Sequence, residues 1–495
     1  MNRTTLSLIA GVTALAAVTG FATLTTPEAS GTDTAKTAAQ LPVERTGLLC
    51  PAPSNSDLAD TTYTSFTPVT EGADGEGTAE LVSAGAEKKE GKKKGKADKP
   101  VLEPGEPGKP VVGDESGSES PALIGTAEGK FAPGWTVQET TEVAAGSGRG
   151  LSGVNCTAAD TEFWFPGAST ASSRTDYVHL TNPDDSAAVV DLELYGKDGL
   201  LESTVEDGIT VAPHSSEPVL LSTLAEGEET DLTVHVNVRS GRVGAAVQAL
   251  DDEVGGDWLA ATAEPAESLV IPGIPKDATE VRLVAFTPGG TDADLKVRLA
   301  APSGLITPAG NETLRVKAGM TTAVDLGDVT RGEAGSLVLT PTSGAVPVVA
   351  AVRVVRGKGD KQETAFIPAA GPVGTRATAV GNTEKGTTLA LTAPDGTAEV
   401  KVTASAGTEG GEAASETYTI KAGTTQEIEL PVPDGLKGTY ALTLEPSSAT
   451  TPVYASRTLS TTLNGAPAFT IQTLPDDRGT VSVPNADQDL SVLQR

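Results

Sequence analysis

The apolar positions of this chain fall in short runs that alternate with polar ones. In "VVDLELYG", Val190, Leu192 and Leu194 alternate with Asp191, Glu193 and Tyr195, the pattern of a strand with one face buried. Runs of this kind are separated by turn residues such as Lys197-Asp198-Gly199, Pro302-Ser303-Gly304 and Pro394-Asp395-Gly396, where glycine takes a positive φ at little cost. Long stretches at helical spacing are absent. The pattern predicts an all-β protein.

The pattern also repeats. "ETLRVKAGMTTAVDL" from Glu312 returns as "ETYTIKAGTTQEIEL" from Glu416, and the offset of 104 residues holds without a gap from Glu312/Glu416 to Arg353/Arg457. A weaker earlier copy runs through "ITVAPHSSEPVLL" from Ile209 and "DLTVHVNVRSGRVGAAVQ" from Asp231. The copies close on Ile271-Pro272, Phe366-Ile367-Pro368 and Phe469-Thr470-Ile471. About seven strands in roughly 100 residues predict tandem immunoglobulin-like β-sandwich modules, each with its own core. Their expected bounds are 161–275, 276–372 and 373–475, with a tail at 476–495.

The N-terminal part reads differently. One positive charge at Arg3 precedes the apolar run "LSLIAGVTALAAVTGFATL" from Leu6, so residues 1–30 are expected to be an export signal or a single membrane anchor. Cleavage is expected after Ala22 or near Ala29, and a linker at 31–44 follows. A β region at 45–70 and 120–160 is expected to be split by a disordered insertion at 71–119, rich in Lys, Gly and Pro, which offers little core and whose deletion should cost little stability. Its lysines, Lys88, Lys89, Lys92, Lys93, Lys94, Lys96 and Lys99, are candidates for contact with an anionic surface. The two cysteines of an exported chain predict one disulfide, Cys50–Cys156.

The formal net charge of −30 argues against a nucleic-acid partner, since phosphate binding needs clustered cations. Motifs of catalysis are fragmentary. "GRGLSG" (148–153) has dinucleotide-loop spacing without the following helix, and "GASTA" (167–171) misses the nucleophile elbow by one residue. The three histidines, His179, His214 and His235, sit in strand patterns or at a turn, with no zinc spacing. Acid pairs such as Asp184-Asp185 and Asp251-Asp252 form no calcium loop. No catalytic set, cofactor or metal site is expected. Aromatic residues are 3% of the chain, which singles out "TEFWFPG" and "GGDWLAA". If the first is a strand, Phe163 and Phe165 face one way and Trp164 the other. Trp164 and Trp258 are candidates for a ligand or partner surface.

The export segment, Leu49-Cys50-Pro51, Cys156 leading into Trp164-Phe165-Pro166-Gly167, Leu180-Thr181-Asn182-Pro183 and Ile271-Pro272-Gly273-Ile274-Pro275 together resemble a family of exported actinobacterial proteins of unknown function. The resemblance implies an envelope-associated protein and carries over no catalytic residues. The expected function is a non-enzymatic extracytoplasmic scaffold that meets wall glycopolymer or an envelope protein. The alternative is a membrane-anchored accessory to a polysaccharide-assembling glycosyltransferase, and more distantly a wall hydrolase.

Overall fold

The computed structural model describes residues 39–73, 75–85, 99–205 and 207–483. The export or anchor segment at 1–30 and the lysines at 88, 89, 92, 93, 94 and 96 lie outside the described residues. Among the described residues the regular elements are antiparallel strands and three single 3-10 turns, so the protein is all-β.

After β1 (Ala39–Pro42), a first module, A, comprises β2 (Arg45–Cys50), β3 (Ala59–Phe66), β4 (Ala79–Ser83), β5 (Val111–Ser116), β6 (Leu123–Glu128), β7 (Thr136–Val143) and β8 (Gly150–Asn155). Module B has β9 (Glu162–Ala168), β10 (Arg174–Thr181), β11 (Ala188–Gly196), β12 (Gly199–Leu200), β13 (Ile209–Val211), β14 (Ser216–Leu220), β15 (Leu232–Ser240), β16 (Gly244–Asp251) and β17 (Gly255–Leu259). Module C has β18 (Leu269–Ile274), β19 (Ala278–Phe286), β20 (Ala293–Ala301), β21 (Gly304–Ile306), β22 (Thr313–Val316), β23 (Thr321–Asp325), β24 (Gly335–Pro341), β25 (Val349–Arg356) and β26 (Glu363–Pro368). Module D has β27 (Ala377–Asn382), β28 (Thr387–Ala393), β29 (Ala398–Ala404), β30 (Gly410–Glu412), β31 (Ala414–Ile420), β32 (Thr424–Ile428), β33 (Asp434–Lys437), β34 (Tyr440–Pro446), β35 (Tyr454–Leu463) and β36 (Ala466–Thr473). The closing strand, β37 (Thr480–Val483), pairs with β1 in a two-stranded sheet of its own.

One pairing scheme recurs in all four modules. In B, one sheet contains β9-β15-β11 and the other runs β14-β10-β16-β17; C gives β18-β24-β20 with β23-β19-β25-β26, and D gives β27-β34-β29 with β32-β28-β35-β36. Module A follows it as β2-β6-β4 and β5-β3-β7-β8. The N-terminal region is therefore a further copy of the module. The strand Leu269–Ile274 pairs with β24 and opens C instead of closing B, because Gly255–Leu259 already fills the last position of B.

Residues 71–119 are not one unstructured insertion. Ala79 and Leu81 on β4 and Leu102 are buried in the core of A, and β5 supplies an edge of its second sheet. Their short alternation is outweighed in composition by the surrounding Gly, Glu and Lys, although one fully buried leucine is worth about 1.5–3 kcal/mol.

The modules do not have separate cores. Ala351 and Phe366 of C pack into the core of B, and Phe469 and Ile471 of D pack into that of C. The first strand of each module packs on the next: β9 on β19 and β25, β18 on β28 and β35, and β27 back on β3 and β7. The last strands β8, β17, β26 and β36 meet in a closed circuit, β8 touching both β17 and β36. Four modules thus surround a common centre.

Candidate functional site

The cysteines, Cys50 at the end of β2 and Cys156 just after β8, form the disulfide the sequence predicts, tying the first strand of A to its last. Phe163 and Phe165 point into the core of B and Trp164 points the other way, as the alternation of β9 requires. Trp164 and Trp258 offer no open face, which corrects their candidacy as a ligand surface: they are 6% and 2% exposed. The indole of Trp164 stacks on His235, with ring centres 3.8 Å apart, and meets Phe286 of C at 5.4 Å. His235 is cross-strand from Trp164, its Nδ1 lying 2.8 Å from Glu193 and its Nε2 3.1 Å from Glu162. Tyr195 donates to Glu193, whose carboxyl burial would raise but whose bonds from His235 and Tyr195 hold below the usual range. Trp258 packs with Val154 and Ala246 between A and B. Both tryptophans seal joints between modules.

The fragmentary motifs also resolve into structure. In "GASTA" the Ser169 hydroxyl donates to the Glu229 carbonyl, while its amide donates to Asp176, a buried carboxyl paired with Arg174. Asp184 pairs with Arg242, Asp185 faces His214, and Asp251 accepts the Glu253 and Val254 amides of a turn. Lys99 is exposed. "GRGLSG" is not a flexible loop alone, because Gly150–Gly153 begin β8 where the four last strands converge. A Cβ on Gly153 would stand 2.5 Å from Gln472 Nε2 and 2.9 Å from Thr470 Cγ2, so glycine is needed for the close approach.

That convergence carries a buried polar network. The Gly153 amide donates to Asp257 of β17 at 3.0 Å, and the Thr470 hydroxyl of β36 lies 3.1 Å from both Asp257 oxygens. Gln472 donates to Thr470 and accepts from Arg457 at 2.6 Å and from Gln138 of A at 3.2 Å. Arg457 is fully buried and also donates to the Val380 carbonyl and to Asn382. Burial pushes its guanidinium down to about 9. Burial likewise drives the Asp257 carboxyl well above the usual carboxylate range, against the pull of hydrogen bonds from Trp258, Gly153 and Thr470. Glu363 of β26 is pushed by burial up to about 7, with Arg149 drawing it partly back. The groups of the network hold one another, and their chemistry is that of a lock between modules.

Beside the network, between A and B, opens a cleft of about 110 Å³. Its walls are the loop after Cys50 (Pro53–Ser56), the β7–β8 turn (Ala145–Gly148), Ser152, and Gln248, Leu250, Gly256 and Asp257 of B. Gln248 donates to the Pro53 carbonyl at 2.9 Å, fixing the first loop against B.

Residues 111–431 match a family of unknown function, DUF5719. The chain belongs to this family. No curated protein matches it. The matched span of this DUF5719 chain begins at β5 and ends just past β32, so it takes in Asp257, Glu363, the joint of B with C and the Trp258 contact of B with A. Sequence reasoning missed the central network because its members stand far apart in the chain and repeat no motif. The faint signals were "GRGLSG" and the matched pair Arg353/Arg457, which the repeat aligns without revealing that Arg457 is buried.

Proposed function

We propose that the protein is a non-catalytic extracytoplasmic scaffold of the actinobacterial cell envelope, presenting the outer loops and edges of four sandwich modules to wall glycopolymer. The observation that carries this reading is the closed circuit of β8, β17, β26 and β36. It commits the interior polar chemistry to holding the modules in a fixed arrangement, which suits a rigid platform. The Cys50–Cys156 bridge supports placement outside the cytoplasm, where disulfides persist. β4 and β5, which flank the lysine-rich stretch in the sequence, are edge strands of the two sheets of A. Immunoglobulin-like packing of each module fits the paired sheets of B, C and D, five- and four-stranded in B and C and both four-stranded in D.

The test is retention of the full exported chain on purified wall polymer stripped of protein. Retention that survives moderate salt supports the reading. Passage through the polymer, with recovery instead beside a membrane glycosyltransferase, replaces it with an accessory role. Turnover of wall material abolished by one side-chain substitution overturns both.

A further inference from the structure

We infer that the cleft between modules A and B binds a single neutral sugar unit, a reading that rests on the scaffold proposal and names its ligand class. The argument is the hydrogen-bonding inventory of the walls. Ser54, Ser147 and Ser152 bring hydroxyls, Asn55 a solvent-exposed amide, and Gln248 an amide held in place by Pro53. Hydroxyls and amides both donate and accept, as the hydroxyls of a sugar do. Val143 and Leu250 give the apolar surface against which the C–H face of a pyranose can lie. No lysine or arginine lines the cleft, so a phosphate or carboxylate would find no counter-charge. The one acid, Asp257, is 1% exposed, and its oxygens are taken up by the Gly153 amide and the Thr470 hydroxyl, so it is not free to recruit a cation either. The volume of about 110 Å³ takes part of one ring, the rest lying in solvent, and not a folded chain segment.

The cleft is also built in advance. The first wall starts directly after Cys50, which the disulfide fixes to Cys156 at the foot of β8. The Ser54 and Ser56 hydroxyls accept the amides of Ser56 and Leu58, giving the loop its own turns. A pre-ordered wall lowers the entropy lost on binding, so weak contacts with one sugar suffice for millimolar affinity.

Saturation-transfer NMR on the full chain with glucose, galactose, arabinose and N-acetylglucosamine, and with glucose 6-phosphate as the anionic probe, tests this. Transfer to at least one neutral sugar and none to glucose 6-phosphate is expected. Ser147→Phe, at a half-buried rim position, should fill the cleft and weaken binding by roughly tenfold or more, while Asn55→Ala should weaken it by roughly threefold. No transfer to any neutral sugar, a preference for glucose 6-phosphate, or unchanged binding by a folded Ser147→Phe chain overturns the proposal. Wall polymer that retains wild type and Ser147→Phe alike leaves the scaffold intact and removes the cleft. Sugar binding without retention of the wild type does the reverse.

Discussion

The joint between B and C and the joint between A and B are built from the same strand positions and solve the contact differently. At B–C, Trp164, Tyr195 and Phe286 fill the seam, His235 is held by two carboxylates, and Arg282 makes a two-pronged bond to Asp231 at 2.9 and 2.7 Å. Phe366 of C completes the core of B. At A–B, Leu49 packs over Gly244, Trp258 meets Val154 and Ala246, and two cavities remain. His179, facing the Trp258 edge at 5.1 Å, has no hydrogen-bond partner on either nitrogen, nor has the Trp258 N–H. Native interiors rarely leave such groups unpaired, and they mark where packing has been given up for room. The difference teaches that the four-module assembly has a welded seam and an open one, and that the open one is stiffened by a covalent bond within A.

The sharpest break of that comparison is Phe366→Ala. Emptying a ring from the core of a neighbouring module should cost about 3–5 kcal/mol, read by urea denaturation. A cost no greater than that of Leu49→Ala would mean that B–C is no more welded than A–B. Next in size is Cys50→Ser with Cys156→Ser. The bridge spans 106 residues, and losing it should cost about 2–5 kcal/mol, with amide exchange rising first in the loop after position 50. Faster exchange at Trp164 instead would place the loose joint at B–C.

Much of the B–C seam was legible in the sequence. The Phe163-Trp164-Phe165 alternation predicts two opposed faces, and the repeat predicts modules B, C and D. The A–B seam was hidden, because A shares the pairing scheme of the others without their sequence. Its strands β4 and β5 lie in a stretch whose composition reads as linker, and only tertiary pairing with β6 and β3 makes them strands. The exchange of Phe366 and Phe469 between cores is equally invisible to periodicity, which tells that a residue is buried but not in which module. Asp257, Thr470 and Gln472 come together only when the circuit closes.

Acid separates the two joints further. Burial lowers His179 from 6.5 to about 4. A base depressed in the folded state gives stability that is present above about 6.5 and is lost as pH falls towards 4. Melting temperature should therefore drop across that window, and His179→Leu should flatten the drop. An identical fall in the His179→Leu chain would remove the A–B joint as its source. The Glu363 carboxyl at the centre behaves oppositely. Its value is raised to about 7, so its contribution is complete below about 4.5 and is lost as pH rises through 7, which Glu363→Gln should abolish.

The smallest expected effect tests how tightly the welded seam is fitted. Thr321 of C donates to the Tyr195 carbonyl of B at 2.6 Å and meets the Thr233 hydroxyl at 2.9 Å, both at the edge of the Trp164 cluster. Thr321→Val keeps the shape and removes the hydroxyl, leaving a buried carbonyl and a buried hydroxyl short of a partner. The cost should be about 1–2 kcal/mol, seen as a small shift of the denaturation midpoint with an unchanged slope. A loss within about 0.5 kcal/mol would show that water reaches the B–C seam and that its fit is not what separates it from the A–B joint.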